Sequence, residues 1–108
     1  MESIVVTGVS TGIGRQIAAT LVANGFRVFG SVRKAADGDG LIAELGENFV
    51  PLIFDVTDRQ AVDAAAAHVE TLLQGEKLAG LVNNAGIAVV GAIQNLSPEE
   101  FQTQFDVN

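Results

Sequence analysis

A chain of 108 residues with 48% hydrophobic and 18% charged residues is long enough for one hydrophobic core, so we expect a single domain over 1–108. Its formal net charge of −7 opposes contact with nucleic acid phosphates or an anionic membrane surface, and we expect neither as a partner. The sequence has no cysteine and no apolar run as long as a signal peptide or membrane span, which favours a cytoplasmic protein without disulfides.

The first predicted strand is the apolar run 4–7, which leads into a segment with helical periodicity. Apolar residues recur at helical spacing over 13–22, and this helix is predicted to end at the Asn-Gly pair at 24–25. The second predicted strand follows at 28–32. A strand, a helix and a second strand in this order are typical of parallel strands joined by a crossover helix.

A weaker helix is predicted over 35–45, interrupted by alternating Asp and Gly at 37–40, and a third strand over 49–54. Pro51 lies inside that strand, and because proline cannot donate to a ladder, the third strand is predicted at a sheet edge. The doubly wound order 3-2-1-4 places it there. We therefore predict an α/β fold, a partial, three-layer Rossmann-type sheet of parallel strands in this order.

The second half of the chain carries two predicted helix starts. Thr57-Asp58-Arg59-Gln60 has the pattern of a capping box, and apolar residues at helical spacing follow it over 62–73. The fourth strand is predicted over 78–82. A second capping box at 97–100 precedes Phe101 and Phe105, an apolar pair one helical turn apart.

A glycine-rich segment, 7–14, joins the first predicted strand to the first helix. Glycine lets the backbone turn off a strand and lets a pyrophosphate approach closely, while the helix that follows offers free N–H donors and a favourable dipole. Its spacing, G-x-x-x-G-x-G, lacks the Gly-Lys-Ser/Thr of a Walker loop. Three glycines also serve turn geometry alone, but this position favours a dinucleotide site.

The segment Thr7-Gly8-x-x-x-Gly12-Ile13-Gly14 resembles the cofactor fingerprint of the short-chain dehydrogenase/reductase family, and three later features match that family in order. Asp55-Val56 resembles its adenine-contacting aspartate, which could otherwise be a turn or capping residue. Asn83-Asn84-Ala85-Gly86 resembles the signature that steadies the central sheet and borders the cofactor. Asn108 resembles the helix asparagine of the family's catalytic proton relay. The predicted cofactor contacts are Gly8, Ser10, Thr11, Gly12, Ile13, Gly14, Arg33, Asp55, Val56, Asn83, Ala85 and Gly86. Among them, Arg33 is assigned by its charge, and Ser10 and Thr11 by the hydroxyl or backbone donors they could offer to a phosphate; the others follow from the resemblance. No metal site is predicted.

The choice of cofactor depends on the end of the second predicted strand. NAD-selective dinucleotide domains carry Asp or Glu about 20 residues beyond the glycine loop, and here Val32 stands at that place, followed by Arg33 and Lys34. Because no carboxylate repels a 2′-phosphate and a guanidinium can pair with it, the sequence favours NADP over NAD. The alternative is that Arg33 and Lys34 only solvate a loop.

The resemblance also implies chemistry that these residues do not carry. The family's reaction uses a serine and a Tyr-x-x-x-Lys pair from its second half, and this sequence has no tyrosine. We therefore expect the NADP(H)-binding portion of an oxidoreductase of carbonyls or alcohols, truncated before the catalytic half and inactive as this chain alone. The competing interpretation is a non-catalytic module that binds a dinucleotide or self-associates.

The fourth predicted strand is expected to lack its outer neighbour. Exposed strand edges recruit other edges, so we predict a homo-oligomer, most simply a two-fold pair across strand four or the last helix. His68 has no further ligand at metal spacing, and the acidic segment 37–40 lacks a calcium loop's register, so a surface histidine and a turn are predicted instead.

Overall fold

The computed structural model describes residues 1–55 and 57–84, and the backbone of 89–91. Within these ranges one sheet contains strands β1 (Ser3–Val6), β2 (Arg27–Val32), β3 (Phe49–Ile53), β4 (Gly80–Asn83) and β5 (Val89–Gly91). Their order is β3-β2-β1-β4-β5, so the predicted order 3-2-1-4 is confirmed. The first four strands are parallel, and β5 pairs antiparallel with β4.

Three helices form the crossovers between the parallel strands: α1 (Gly12–Ala23), α2 (Ala35–Leu45) and α3 (Arg59–Leu73). Successive strand residues point to opposite sheet faces, so neighbouring valines in β1 enter different cores. Val5 packs in one buried cluster with Val69 of α3, and Val6 in another with Ala18 of α1. Helices therefore cover both faces of the sheet, which confirms the predicted three-layer, doubly wound architecture. Among the described residues, no helix combines the length and apolar character needed to cross a bilayer.

The edge position of β3 is also confirmed. Among the described strands β3 pairs only with β2, with Pro51 opposite Gly30. At the two ends of this pairing, the Asn48 carbonyl accepts from β2 and the Phe54 N–H donates to it. Backbone groups alternate in direction along a strand, so the nitrogen of Pro51 faces away from β2. The proline thus leaves the β2–β3 ladder intact.

Helix α2 runs unbroken through the segment where the sequence predicts an interruption. Gly38 is buried beneath β3, and a Cβ placed there would lie 2.9 Å from the Cβ of Pro51. Gly40 faces open space. Since the absent side chain of Gly38 lets α2 approach the sheet, this glycine serves helix–sheet packing and does not end the helix.

The predicted start of α3 is wrong by one residue. Asp58 is the N-cap, and its carboxylate accepts a hydrogen bond from the Ala61 N–H at 3.2 Å. The Thr57 hydroxyl, predicted as the cap, donates instead to Asp55 at 2.8 Å. Thr and Asp both cap helices well. Asp58 takes the N-cap here because the Thr57 hydroxyl is bonded to Asp55.

The open edge expected at strand four is contradicted over residues 81–83. Leu81, Val82 and Asn83 pair with β5, a strand supplied by the same chain. Self-association across that stretch of β4 therefore loses its physical basis, because its backbone groups already have partners. The other predicted oligomer contact, the last helix, lies outside the described residues.

Two glycine substitutions in α2 test the packing argument. Gly40→Ala should raise the free energy of unfolding by roughly 0.5–1 kcal/mol, since alanine has the better helix propensity and meets no neighbour. Gly38→Ala should lower it by about 1–2 kcal/mol, because the new methyl group collides with the rigid Pro51 ring. Urea denaturation followed by circular dichroism measures both. Equal stabilisation by the two variants would contradict close packing at Gly38.

Candidate functional site

The predicted site residues lie where the parallel strands end. The loop 7–11 follows β1, Arg33 follows β2, Asp55 follows β3, and Asn84 follows β4. Because the strands are parallel, these segments share the carboxyl edge of the sheet, where open α/β sheets bind ligands. Arg33 lies near enough to Asp55 for its charge to act on that carboxyl group.

The glycine loop turns tightly off β1 and leads directly into α1. Gly8 and Gly12 have φ angles of +68° and +62°, in the left-handed region that favours glycine. Gly14, in the first turn of α1, is buried against the loop, and a Cβ there would lie 2.0 Å from the Gly8 carbonyl oxygen. Any side chain at Gly14 would therefore push α1 away from the loop.

The Gly8 backbone is held from both sides of β1. Its N–H donates to the Ser31 hydroxyl of β2 at 2.8 Å. Its carbonyl accepts a hydrogen bond from the Asn84 carboxamide, beyond β4, at 3.2 Å. The loop is thus tied to both neighbouring strands of the sheet through one residue.

A second set of hydrogen bonds joins the ends of β1 and β4. The Thr7 hydroxyl donates to the Asn83 side-chain oxygen at 3.3 Å and accepts from the Asn84 N–H at 2.7 Å. Thr7 and Asn83 are both buried. The Asn83 side chain therefore stabilises the sheet, and the prediction that this residue contacts a cofactor stays a prediction.

The far half of the glycine loop is open to solvent. Thr11, Gly12 and Ile13 are exposed, and Ile13 has 71% of its surface accessible. Thr11 occupies the N-cap of α1 with extended backbone, but its side chain makes no capping hydrogen bond, and the first turn carries no acidic residue. This helix start therefore presents N–H donors and the positive end of the helix dipole, an arrangement that suits an anion.

The surroundings of Asp55 favour the ionised form of its carboxyl group. The backbone N–H and the hydroxyl of Thr57 both donate to its Oδ1, at 3.0 and 2.8 Å. These two bonds, with a smaller contribution from the Arg33 charge, hold the pKa of Asp55 below its ordinary value. The site thus combines an exposed guanidinium with a carboxylate at the ends of adjacent strands.

The structure places eight predicted cofactor contacts, Gly8, Ser10, Thr11, Gly12, Ile13, Gly14, Arg33 and Asp55, at this edge, together with Asn83. Val56, Ala85, Gly86 and Asn108 lie outside the described residues. Sequence reasoning expected the signature that contains Asn84 to steady the sheet, but it missed the hydrogen bonds by which Ser31 and Asn84 hold Gly8. A hydroxyl residue within the apolar run 28–32 was the available signal for the first. In the described part of the chain, no group of three or more His, Asp or Glu residues could hold a metal, and His68 is exposed on α3.

Several known proteins are similar to this chain in sequence and in fold. A family model described as short chain dehydrogenase matches residues 2–108. The NADPH-dependent 3-dehydrocapnine reductase of Ornithobacterium rhinotracheale is 44% identical over 108 residues, covering 100% of this chain and 38% of that protein. A short-chain dehydrogenase from Streptomyces avermitilis superposes with a TM-score of 0.72 at 37% identity, over 80% of this chain and 32% of the other.

A further solved structure similar to this chain contains a named cofactor. An actinorhodin polyketide ketoreductase with NADPH has a TM-score of 0.71 and 32% identity, over 80% of this chain and 33% of that one. In each of these comparisons the chain spans less than two fifths of the other protein's length. The likeness therefore concerns only part of each of those proteins.

Replacing Thr57 tests the cause of the Asp55 shift. Thr57→Val removes the hydroxyl donor and keeps the backbone N–H, so the pKa of Asp55 should rise but stay below 3.8, its ordinary value. Since the folded-state pKa is the lower one, the stability that Asp55 contributes is present above the unfolded-state pKa and is lost as pH falls through the folded-state value. NMR titration of the carboxyl carbons measures the pKa, with Thr57→Ser as the control that keeps the hydroxyl. An unchanged pKa in Thr57→Val would exclude the hydroxyl as a cause.

Proposed function

This chain belongs to the short-chain dehydrogenase family, and from that premise we propose that it binds NADP(H) as the cofactor-holding portion of an oxidoreductase. In its complete form, such a protein would reduce a carbonyl or oxidise an alcohol. The proposal is supported by a relative named for its NADPH dependence and by a similar solved structure with NADPH. Bound NADP(H) would supply or accept the hydride, and the residues of this chain would bind and orient it.

The observation that carries the proposal is the pairing of two anion-binding features at one sheet edge. Gly12 and Ile13 at the start of α1 are exposed, and this helix start has no capping side chain at Thr11 and no acidic residue in its first turn, which suits a pyrophosphate. Arg33, exposed at the end of β2, suits a second phosphate. A dinucleotide with a 2′-phosphate carries both groups, so this donor set fits NADP better than NAD.

The surroundings of Arg33 support the same preference. Val32, which stands where NAD-selective domains carry a carboxylate, is a buried core residue of β2. Asp55 lies near Arg33 but follows the adjacent strand, and Thr57 occupies one of its carboxylate oxygens. Lys34 adds a second exposed cation at the N-cap of α2. We expect Arg33 to pair with the 2′-phosphate and Asp55 to face the adenine.

We further propose that the 108 residues do not turn over substrate by themselves. By resemblance, the family's reaction needs a serine and a Tyr-x-x-x-Lys pair, and the sequence has no tyrosine. Asn108 is the only residue that the resemblance assigns to the proton relay. Cofactor binding without turnover is the expected behaviour, and the absence of cofactor binding would favour a non-catalytic interaction module.

Calorimetric titration at low salt tests the cofactor preference. The chain should bind NADPH more tightly than NADH, and Arg33→Ala should weaken NADPH binding by about ten- to a hundredfold, because a charge-assisted hydrogen bond contributes roughly 1.5–3 kcal/mol. NADH binding should not change, since NADH has no 2′-phosphate.

Lys77→Ala provides the matched control. It removes the same positive charge from a chain of net charge −7, but from an exposed position that precedes β4, at the opposite edge of the sheet. This variant should bind NADPH as the unaltered chain does. A similar loss in both variants would show that net charge, and not Arg33, governs the affinity. No binding of either dinucleotide to the unaltered chain would refute the proposed function.

A further inference from the structure

Ser31 is a buried polar residue within the apolar strand β2, and both its side chain and its backbone engage the glycine loop. Only 3% of its surface is exposed. Its hydroxyl accepts a hydrogen bond from the Gly8 N–H at 2.8 Å, and its carbonyl accepts one from the Val9 N–H at 3.0 Å. The consecutive backbone N–H groups of Gly8 and Val9 therefore both donate hydrogen bonds to Ser31.

Apolar packing fixes the same part of the loop. Val9 is fully buried and packs over Gly30, where a Cβ would lie 2.8 Å from the Val9 Cγ2. The loop accordingly has two halves, one docked on β2 and one exposed at Thr11–Ile13. Since the exposed half continues directly from the docked half, the docking on β2 determines where the exposed amides point.

We infer that Ser31 is a positioning residue of the dinucleotide site, acting through Gly8 and not by contact with the ligand. The inference rests on the proposed function and names a residue that shapes the same site. The Ser31 hydroxyl fixes the Gly8 amide, and the carbonyl of Gly8 is the atom against which Gly14 of α1 packs. Together with Asn84, which holds the carbonyl itself, the hydroxyl thereby helps to position the first turn of α1.

Removal of the hydroxyl has a defined physical effect. In Ser31→Ala the Gly8 N–H loses its acceptor in a half-buried place, and glycine backbone at φ +68° has the freedom to reorient toward water. Turning the Thr7–Gly8 peptide toward water changes the backbone dihedral angles of Gly8, which displaces the Gly8 carbonyl and with it the start of α1, since Gly14 packs on that carbonyl. The amides offered to the pyrophosphate would then no longer be held in place before binding, and preorganisation of this kind is a direct contribution to affinity.

The expected result is an equal loss of affinity for NADPH and for NADH. NADPH and NADH carry the same pyrophosphate, so Ser31→Ala should weaken each by up to about tenfold, because restoring the ordered loop on binding costs at most about the free energy of one hydrogen bond, and should leave their affinity ratio unchanged. Arg33→Ala should alter the ratio itself. Calorimetric titration well below the melting temperature separates these patterns.

Ser3→Ala is the matched control. Ser3 is also a buried serine, 1% exposed, whose hydroxyl accepts a hydrogen bond at 2.9 Å from Arg27 Nε. It lies at the start of β1, at the amino edge of the sheet and far from the loop. Both variants should lose stability in urea denaturation, but only Ser31→Ala should lose cofactor affinity. If Ser31→Ala does not fold, Ser31→Cys keeps a similar size with a weak acceptor and should show the same shared loss.

The outcomes distinguish this role from the cofactor site itself. Undiminished binding of both dinucleotides to folded Ser31→Ala or Ser31→Cys would overturn the role of Ser31 and leave the proposed function standing. An equal loss in Ser3→Ala would also overturn it, because the effect would then follow general destabilisation. Failure of the unaltered chain to bind either dinucleotide would overturn the proposed function, and the role of Ser31 with it.

Discussion

The close approach of α1 to the end of β1 is the constraint on which the rest of the site depends. The helix begins where it does because Gly14 has no side chain, which leaves room for the Gly8 carbonyl oxygen. The same oxygen accepts from Asn84, so the end of β4 packs around it as well. Ser31 holds the other side of the same glycine. One backbone residue thus joins three strands and a helix, and the exposed first turn of α1 takes its direction from that junction.

The strands and the glycine loop could be predicted from local signals, and the strand order from the known doubly wound arrangement that these elements match. Apolar runs mark the strands, Pro51 marks an edge, and the Gly8–Gly14 spacing marks a turn into a helix. The roles of Ser31 and Asn84 could not be predicted, since their partner at Gly8 lies 23 and 76 residues away along the chain.

Other errors arise from contacts that local sequence patterns did not indicate. Gly38 lies inside a helix, and its missing side chain leaves room for Pro51, a contact that only the folded sheet reveals. Thr57 does not cap α3, because its hydroxyl is taken by Asp55. The three-residue strand β5 is too short for periodicity to indicate, yet it covers the strand that was expected to be open. The Gly38 and β5 errors concern contacts between distant segments, whereas the Thr57 error concerns a choice between two local hydrogen-bond partners.

Local charge matters in a chain whose net charge repels anions. Arg15, in the first turn of α1, pairs with Glu44 of α2, and both side chains are about half exposed, so the pair stabilises the fold little and partly neutralises a cation near the loop. Arg33 has Asp55 nearby but keeps its exposure. With few cations and much negative charge elsewhere, affinity for a phosphorylated ligand should depend on the backbone donors at the start of α1 and on single arginine contacts, and it should be sensitive to salt.

The outward-facing nitrogen of Pro51 has a consequence for the behaviour of the molecule among its own copies. An edge strand with unbroken donors is a template for fibril-like stacking, and β3 carries the exposed side chain of Ile53, which would favour such stacking. Proline interrupts the outer row of donors at its centre, so an incoming strand from another molecule finds no continuous ladder to extend. A proline at this place in an edge strand has the physical character of a gatekeeper residue, one that opposes edge-to-edge stacking of copies.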